Sequence, residues 1–462
     1  MWAGEHGVLY GGLAVCQPIP LRIHVGVKVH SDRHDQPSIV LLGDRSSHYA
    51  YAAPEHKFEP HDFWNPGEAR EIMLRADDLS FMATELLADT KFRTGHTFEI
   101  RSISEQPPGS GGNWSGAFAS AMAAAVLAVT GQLDKNDLDV WQAADSPTLL
   151  RGSNPSFVRF QRCFYGAWAL ESVFREGEAS GYGPLCALLG GHSPIAYRTS
   201  PRGSKEHPVD VGRDFDELKK IEVRFARLRD LTASERARAA HPSFYLGVVH
   251  TGVPKRPGRA MRGTRDEGAQ CETLESRLDD RRLFSAGGCL SLNTEGGTED
   301  LTALLGRTES HHLMCAQGLR DQMALVAKCS AHLFEALLEA LEDVDEREVG
   351  RVSTLAARMR ILQSALETLG LDWWQGRTVA ARIYRTAAEH GRQNEVGVKL
   401  TGGGGGGSLV FILPSDPDVL MERVISGVSD LAKDAVPGAA VLWDSKSDGF
   451  EEGGVALVRG RG

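Results

Sequence analysis

Alternating apolar residues near the start of the chain predict β-strands. Residues 13–16 and 21–29 alternate between apolar and polar positions, and isoleucine or valine at 23, 25, 27 and 29 share one face of the longer segment. Residues 98–103 repeat this pattern just before a glycine-rich stretch. The first hundred residues are therefore predicted to contain at least three strands.

Apolar residues three and four positions apart predict amphipathic helices at 311–341 and 349–369. Further helices are predicted near 67–87, at 134–144, 164–174 and 377–390, and within 414–436. Further strands are predicted at 244–250, 396–401, 408–413, 439–443 and 455–458. Residues 185–191 and 195–197 are predicted to pair as strands, and residues 146–155 to form a loop.

Charge-rich residues from 201 to 240 predict a solvated boundary between two domains, at 1–210 and 240–462. Residues 256–307 are rich in arginine, glycine, glutamate and threonine and have little apolar periodicity. They predict a flexible insertion in the second domain.

The stretch from 107 to 121 combines a glycine-rich turn with a strong helix-forming run. Glycines at 109, 111 and 112 lie within four residues, and alanines dominate the positions that follow. Such a turn presents unpaired N–H groups and the positive end of a helix dipole to a phosphate. Ser115 is placed either to cap this helix or to reach a metal on the phosphate. An ordinary glycine turn before a buried helix is the alternative, and no Walker A lysine follows.

Charge and cysteine content restrict the class of protein. The 462 residues include 51 basic and 61 acidic ones, a net charge of −10 that argues against broad nucleic-acid binding. Seven scattered cysteines without a Cys-x-x-Cys pair favour free thiols in a reducing compartment. No apolar run is long enough to span a membrane, and the first residues do not resemble a signal peptide. A cytoplasmic protein is expected.

Two further glycine segments flank this central turn in the sequence. Near the start, Glu5 and His6 lie between Gly4 and Gly7, which is typical either of a site or of a polar turn. Near the end, six consecutive glycines at 402–407 join two predicted strands. Apolar strands on both sides favour a built turn over a flexible linker.

In this order, the three segments resemble the motifs of the GHMP small-molecule kinases, most closely those of mevalonate kinases. Gly-Glu-His-Gly-Val-Leu-Tyr-Gly resembles the first motif, Pro-Pro-Gly-Ser-Gly-Gly-Asn-Trp-Ser-Gly-Ala the phosphate loop, and Lys-Leu-Thr followed by six glycines and serine the third motif. Residues 251–256 and 359–371 also resemble mevalonate-kinase segments.

The resemblance implies an α+β protein of two domains, an N-terminal ribosomal-protein-S5-like domain and a C-terminal α/β sandwich domain, with the substrates between them. It implies a cytoplasmic enzyme of isoprenoid biosynthesis that transfers the γ-phosphate of ATP to a hydroxyl of mevalonate or a related metabolite, with Mg²⁺. It leaves a homodimer open, and it implies neither a nucleic-acid nor a membrane partner. The implied ATP-binding residues are Pro108, Gly109, Ser110, Gly111, Gly112, Asn113 and Ser115. The implied substrate-binding residues are Glu5, His6, Gly402, Gly403, Gly404 and Gly405, and the implied metal ligands are Ser115 and Glu171.

Departures from the family pattern leave two functions open. Gly183 stands where mevalonate kinases carry an aspartate that helps to activate the hydroxyl, and glycine can neither accept nor orient a proton. Asn113 occupies a glycine position and Trp114 a serine position of the phosphate loop. No catalytic residue is assigned. The two functions are a kinase that works without the aspartate and a degenerate protein that binds nucleotide or metabolite without turnover. The resemblance also leaves open another GHMP chemistry, such as ATP-dependent decarboxylation after phosphorylation.

Overall fold

The computed structural model describes a little over half of the chain. These residues are 1–4, 8, 12–31, 38–42, 48–51, 86, 96–104, 110–144, 146–174, 179–191, 193–199, 215–228, 244–253, 310–342, 348–368, 371–402, 406–415 and 419–446. The predicted helix near 67–87, the predicted insertion at 256–307 and the predicted strand at 455–458 lie outside this set, except for Leu86.

Strands and helices are numbered in chain order over the described residues. The strands are β1 Ala14–Cys16, β2 Ile23–Ser31, β3 Ser38–Leu42, β4 His48–Tyr51, β5 His96–Ser104, β6 Ile195–Thr199, β7 Val223–Arg227, β8 Phe244–Thr251, β9 Gly397–Leu400, β10 Ser408–Pro414 and β11 Ala439–Asp444. The helices are α1 Trp114–Val129, α2 Lys135–Ala143, α3 Ser146–Arg151, α4 Pro155–Phe174, α5 Tyr182–Leu189, α6 Phe215–Lys220, α7 Ser310–Glu342, α8 Glu348–Thr368, α9 Trp374–Glu389 and α10 Val419–Asp434.

Three sheets organise the described strands. One has the order β1-β6-β7, a second β2-β5-β3-β4 and a third β11-β8-β10-β9. All described pairs are antiparallel except β3 with β5, which is parallel. In the third sheet β10 lies between β8 and β9. Ser408, the first residue of β10 after the glycine run, pairs with His250 of β8.

Two clusters of buried side chains form the cores. The first holds helices α1, α4 and α5 with strands β6 and β7, and the second holds the third sheet with helices α7 to α10. Strand β1 lies between them, because Ala14 and Cys16 belong to the first cluster and Val15 to the second. Side chains of a strand point alternately to its two faces, and β1 therefore joins the two cores. The division of the chain into domains at 210 and 240 stays a prediction.

Two predictions of local structure are wrong. Residues 146–151 form a helix instead of a loop, and residues 182–189 form helix α5 instead of a strand. Periodicity cannot separate a buried helix from a buried strand in a short apolar run, and seven of the eight residues of α5 are buried.

The charged stretch is not uniformly solvated. Strand β7 lies within it, and the Arg227 guanidinium is buried, where it donates hydrogen bonds to the carbonyls of Trp141 (3.2 Å) and Ala144 (3.1 Å). No helix among the described residues is long and apolar enough to cross a lipid bilayer.

Candidate functional site

The glycine turn at residues 110–113 leads directly into helix α1. Gly111 has a φ of 75° and Asn113 a φ of 67°, and Asn113 is the one non-glycine residue with a positive φ among the described residues. The Asn113 side chain does not cap the helix, and the first turn contains no acidic residue. Asn113 therefore leaves the N–H groups of this helix end uncapped, and the helix dipole favours negative charge there.

Two buried polar atoms beside this turn lack hydrogen-bond partners within the described part of the chain. They are the Ser110 hydroxyl oxygen and the Asn113 side-chain oxygen. A buried polar atom without a partner destabilises a protein by roughly 1–3 kcal/mol. The Ser110 hydroxyl is thus an unused donor at the place where the sequence predicts a phosphate, whereas the Asn113 oxygen can only accept a hydrogen bond.

Ser115 lies on the side of helix α1 that faces helix α4. Its hydroxyl donates a hydrogen bond of 3.1 Å to Oε1 of Glu171. Glu171 is only 2% exposed, although it carries a carboxylate. The neighbouring Trp114 is buried and stacks on Phe118, with ring centroids 5.1 Å apart. The pair predicted to bind a metal thus forms one cluster at the start of α1.

The glycine run before β10 packs directly against the glycine turn. The Ser408 hydroxyl donates a hydrogen bond of 2.6 Å to the Ser110 carbonyl, and both residues are fully buried. A Cβ atom on Gly407 would lie 3.2 Å from the Cα of Gly111 and 3.0 Å from the Ser110 carbonyl oxygen. Since Gly407 also has a φ of 87°, this close approach of two backbones requires glycine there.

A chain of hydrogen bonds fixes Gly407 from the other side. The Thr251 backbone N–H and hydroxyl both donate to the Gly407 carbonyl, at 3.0 and 2.7 Å. The Trp373 indole N–H in turn donates to the Thr251 hydroxyl oxygen at 3.0 Å. The glycine turn and the third motif are far apart in the sequence, but buried contacts hold this part of the third motif against the glycine turn.

His250, next to Thr251, has a perturbed imidazole. Burial lowers its pKa below the ordinary value of 6.5, and a hydrogen bond with the Gly407 carbonyl acts in the opposite direction. Its Nδ1 atom is buried and has no hydrogen-bond partner among the described residues. The ring is therefore held in the neutral form near pH 7.

The Asn113 side chain packs directly against Gly183 in helix α5. The Asn113 side-chain amide donates a hydrogen bond of 3.0 Å to the Gly183 carbonyl. A Cβ atom at position 183 would lie 2.2 Å from the Asn113 Oδ1 atom, and one at Gly116 would lie 2.6 Å from it. The asparagine therefore fills the space that an aspartate at 183 would need. The side chain at position 113 and the absence of a side chain at position 183 are therefore sterically linked in this protein.

A cavity of about 760 Å³ opens beside the glycine turn. Gly111, Gly112, Asn113 and Gly402 line it, as do residues from β2, α1, α5, β8 and β10. Its volume lies within the range of about 300–1,000 Å³ that is common for small-molecule sites.

The structure brings together most of the described residues of the predicted site. Ser110, Gly111, Gly112, Asn113 and Ser115 form the turn and the start of α1, Glu171 contacts Ser115, and Gly402 lines the adjacent cavity. The remaining predicted residues lie outside the described set; they are Glu5, His6, Pro108, Gly109, Gly403, Gly404 and Gly405. The roles of all these residues stay predictions.

The sequence interpretation missed three contributors to the site. Ser408, Thr251 and Trp373 hold the glycine run in place, but none of them was assigned a role. The signal for Ser408 was its position directly after the glycines, at the start of an apolar strand. Trp373 had no signal, because its contact with Thr251 joins residues 122 positions apart.

No protein-family model and no curated protein matches the sequence. Solved structures do match. The Lactococcus lactis galactokinase complexed with galactose is 12% identical, with a TM-score of 0.50, over 94% of this chain and 88% of that chain. L. major mevalonate kinase in complex with R-mevalonate is 14% identical, with a TM-score of 0.48, over 95% and 91%. Streptococcus pneumoniae phosphomevalonate kinase in complex with phosphomevalonate and AMPPNP is 13% identical, with a TM-score of 0.47, over 96% of each chain.

The match to galactokinase extends over both cores and most of each chain. At 12% identity it establishes the fold and leaves the activity to be tested. The predicted fold class is confirmed: the chain has the mixed α and β GHMP-kinase fold.

Proposed function

We propose that this protein is an ATP-dependent kinase that phosphorylates a hydroxyl of a small molecule. The observation that carries the proposal is the contact between Ser115 and Glu171 at the start of a helix preceded by a glycine turn. Backbone N–H groups, a hydroxyl and a carboxylate converge there, as phosphoryl transfer from a metal-bound nucleotide requires.

The residues at this position suit Mg²⁺. Both candidate ligands are oxygen atoms, which Mg²⁺ prefers, and proteins commonly hold Mg²⁺ by one or two side chains together with phosphate oxygens and water. The described residues contain no cluster of three or more His, Cys, Asp or Glu, so Ser115 and Glu171 would hold the ion only together with the nucleotide. When bound, Mg²⁺ would neutralise charge on the phosphates.

The transfer itself needs no base at position 183. The acceptor oxygen forms a bond to the γ-phosphorus, the bond from that phosphorus to the β–γ bridging oxygen breaks, and ADP leaves with the electron pair. The hydroxyl proton passes to water or to the transferred phosphoryl group. Loose transition states of this kind depend mainly on positioning and charge neutralisation, which the N–H groups of residues 111–115 would supply.

The test uses Ser115→Ala and Glu171→Gln in the full chain. ADP formation is measured against Mg²⁺ concentration with mevalonate, phosphomevalonate, homoserine and galactose as acceptors, and the product is identified by mass spectrometry. We expect each variant to lower kcat at least about tenfold, equivalent to about 1.4 kcal/mol of transition-state stabilisation, and to raise the Mg²⁺ requirement. Exposed Ser429→Ala and Glu389→Gln are the matched controls. Unchanged turnover in both site variants would refute the proposal.

A second candidate function is a protein that binds nucleotide or metabolite without turnover. The observation that favours it is the contact of the Asn113 side chain with Gly183, which leaves no space for a carboxylate side chain at position 183. Saturable ATP binding that depends on Ser115 and Glu171, without a phosphorylated product from any acceptor, would support it. Mevalonate is the first acceptor to test because of the sequence resemblance. A cytoplasmic location and a homodimer stay predictions.

A further inference from the structure

Two cysteine side chains meet in the wall of the cavity beside the glycine turn. Cys16 ends strand β1 and Cys186 lies in helix α5, and both residues line the cavity. The Cys16 thiol donates a hydrogen bond of 3.6 Å to the Ile195 carbonyl. A second hydrogen bond joins the thiols of Cys16 and Cys186. Two elements that are far apart in the sequence therefore hold two sulfur atoms in contact.

The pair is almost buried but borders the cavity. Cys16 is 4% exposed and Cys186 is 6% exposed. Both belong to the first cluster of buried apolar side chains. An ion can therefore reach the two sulfurs through the cavity, whereas the apolar surroundings offer it few further ligands.

This donor set suits a soft metal ion with few ligands. Thiolate sulfur selects soft ions such as Cu⁺ over hard ions such as Mg²⁺. Cu⁺ is stable between two sulfurs in a nearly linear arrangement, whereas structural Zn²⁺ takes four ligands. The part of the chain that the structure describes contains no group of three or more His, Cys, Asp or Glu that could hold a metal ion. The pair therefore fits a two-coordinate ion.

The geometry of the pair favours an ion over a disulfide. Heavy atoms in contact lie about 4 Å apart, and two metal–sulfur bonds of about 2.3 Å span up to about 4.6 Å. A disulfide would require the sulfurs to approach to about 2.05 Å. The hydrogen bond to Cys16 and burial also raise the pKa of Cys186 well above its ordinary value, so that little thiolate is present to attack an oxidant.

From these observations we infer that Cys16 and Cys186 form a binding site for one monovalent copper ion, held between their two sulfurs in the cavity wall. On binding, two S–H bonds break, two Cu–S bonds form and two protons pass to water, and no electron is transferred. The complex carries one negative charge, and Arg22, which lines the same cavity, carries the opposite charge. The site is distinct from the Ser115–Glu171 pair and does not depend on the proposed kinase function.

The first experiment measures copper affinity with the full chain, in anaerobic buffer that contains a reductant without thiols. Cu⁺ is titrated in competition with bicinchoninate, a coloured Cu⁺ chelator. We expect Cys16→Ala and Cys186→Ala each to raise the dissociation constant at least about hundredfold, because loss of a residue that only orients a metal ligand already costs about 10–100-fold.

Cys163→Ala and Cys329→Ala are the matched controls. Each removes a buried free thiol that does not line the cavity, and each should leave the dissociation constant unchanged. A melting curve for every variant checks folding. Equal weakening by the cavity variants and the control variants would overturn the inference, as would the absence of Cu⁺ binding by the unchanged chain.

X-ray absorption at the copper edge tests the ligand set without any substitution. We expect two sulfur neighbours at about 2.2–2.3 Å. A third sulfur, or nitrogen and oxygen neighbours, would overturn the two-sulfur site. Excess Mg²⁺ should not displace the copper, and Ser115→Ala should bind Cu⁺ as tightly as the unchanged chain; a loss of copper in either experiment would overturn a separate site. Absence of ADP formation by a chain that binds Cu⁺ as expected refutes the proposed kinase and supports this site as independent of it.

Discussion

Replacing Gly183 by alanine tests the steric pairing of positions 183 and 113. Helix propensity alone predicts that alanine stabilises a helix by up to about 1 kcal/mol relative to glycine. The structure predicts the opposite, because the new Cβ would lie 2.2 Å from Asn113 Oδ1 and 2.9 Å from its Cγ. Overpacking costs about 1–3 kcal/mol, and displacement of Asn113 also breaks its hydrogen bond to the Gly183 carbonyl, worth about 1 kcal/mol. We expect a net loss of about 2 kcal/mol.

The assay is urea unfolding followed by tryptophan fluorescence, for the single variants and the double variant. Asn113→Gly should change the free energy of unfolding by less than about 1 kcal/mol, because glycine adopts the positive φ of position 113 without strain while the hydrogen bond is lost. In the double variant alanine at 183 meets no asparagine, so a coupling free energy of about 2 kcal/mol is expected.

Gly350→Ala is the matched control for this experiment. Gly350 also lies in a helix, and a Cβ atom there would meet nothing within 4 Å. It should be neutral or stabilising by up to about 1 kcal/mol. Stabilisation by Gly183→Ala, or strict additivity in the double variant, would refute the steric reasoning.

Two further predictions concern the contacts around the glycine run. Ser408→Ala removes the donor to the buried Ser110 carbonyl and should lower the free energy of unfolding by about 1–3 kcal/mol in urea titrations, whereas exposed Ser429→Ala should change it by less than about 0.5 kcal/mol. Because burial keeps the pKa of His250 below 6.5, the unfolded chain binds its proton more readily, and stability should fall as pH drops through 6.5 toward the lower folded value. Urea titrations at pH 7.5 and 5.5 should show a smaller fall for His250→Asn than for the unchanged chain, and equal falls would count against a neutral His250.

The local structure of the candidate site was predictable because its residues are close in sequence and chemically distinctive, whereas its binding roles stay predictions. A glycine turn before an alanine-rich run predicts the start of a helix, and α1 begins within a residue of that turn. Ser115 and Glu171 are 56 residues apart, and their pairing came from the family resemblance. Sequence patterns alone do not report which residue of α4 faces α1, since all the side chains around it are apolar or buried.

The parts that escaped prediction depend on tertiary contacts. The short apolar run of α5 predicts a strand, because a helix that is buried on all sides has no polar face to show its period. The charge-rich composition around Arg227 predicts a solvated side chain, but its guanidinium is buried and donates hydrogen bonds to two carbonyls. The alanines of α1 predict a helix, but they do not predict the cavity that they line.

The hydrogen bond between Ser408 and Ser110 has a consequence for how the site is made. The two residues are 298 positions apart, so a ribosome that has completed the glycine turn must add that many residues before its supporting serine exists. At about 5–20 residues per second this takes roughly 15 to 60 seconds. During synthesis the residues of the first core are therefore complete before the serine that supports the glycine turn exists.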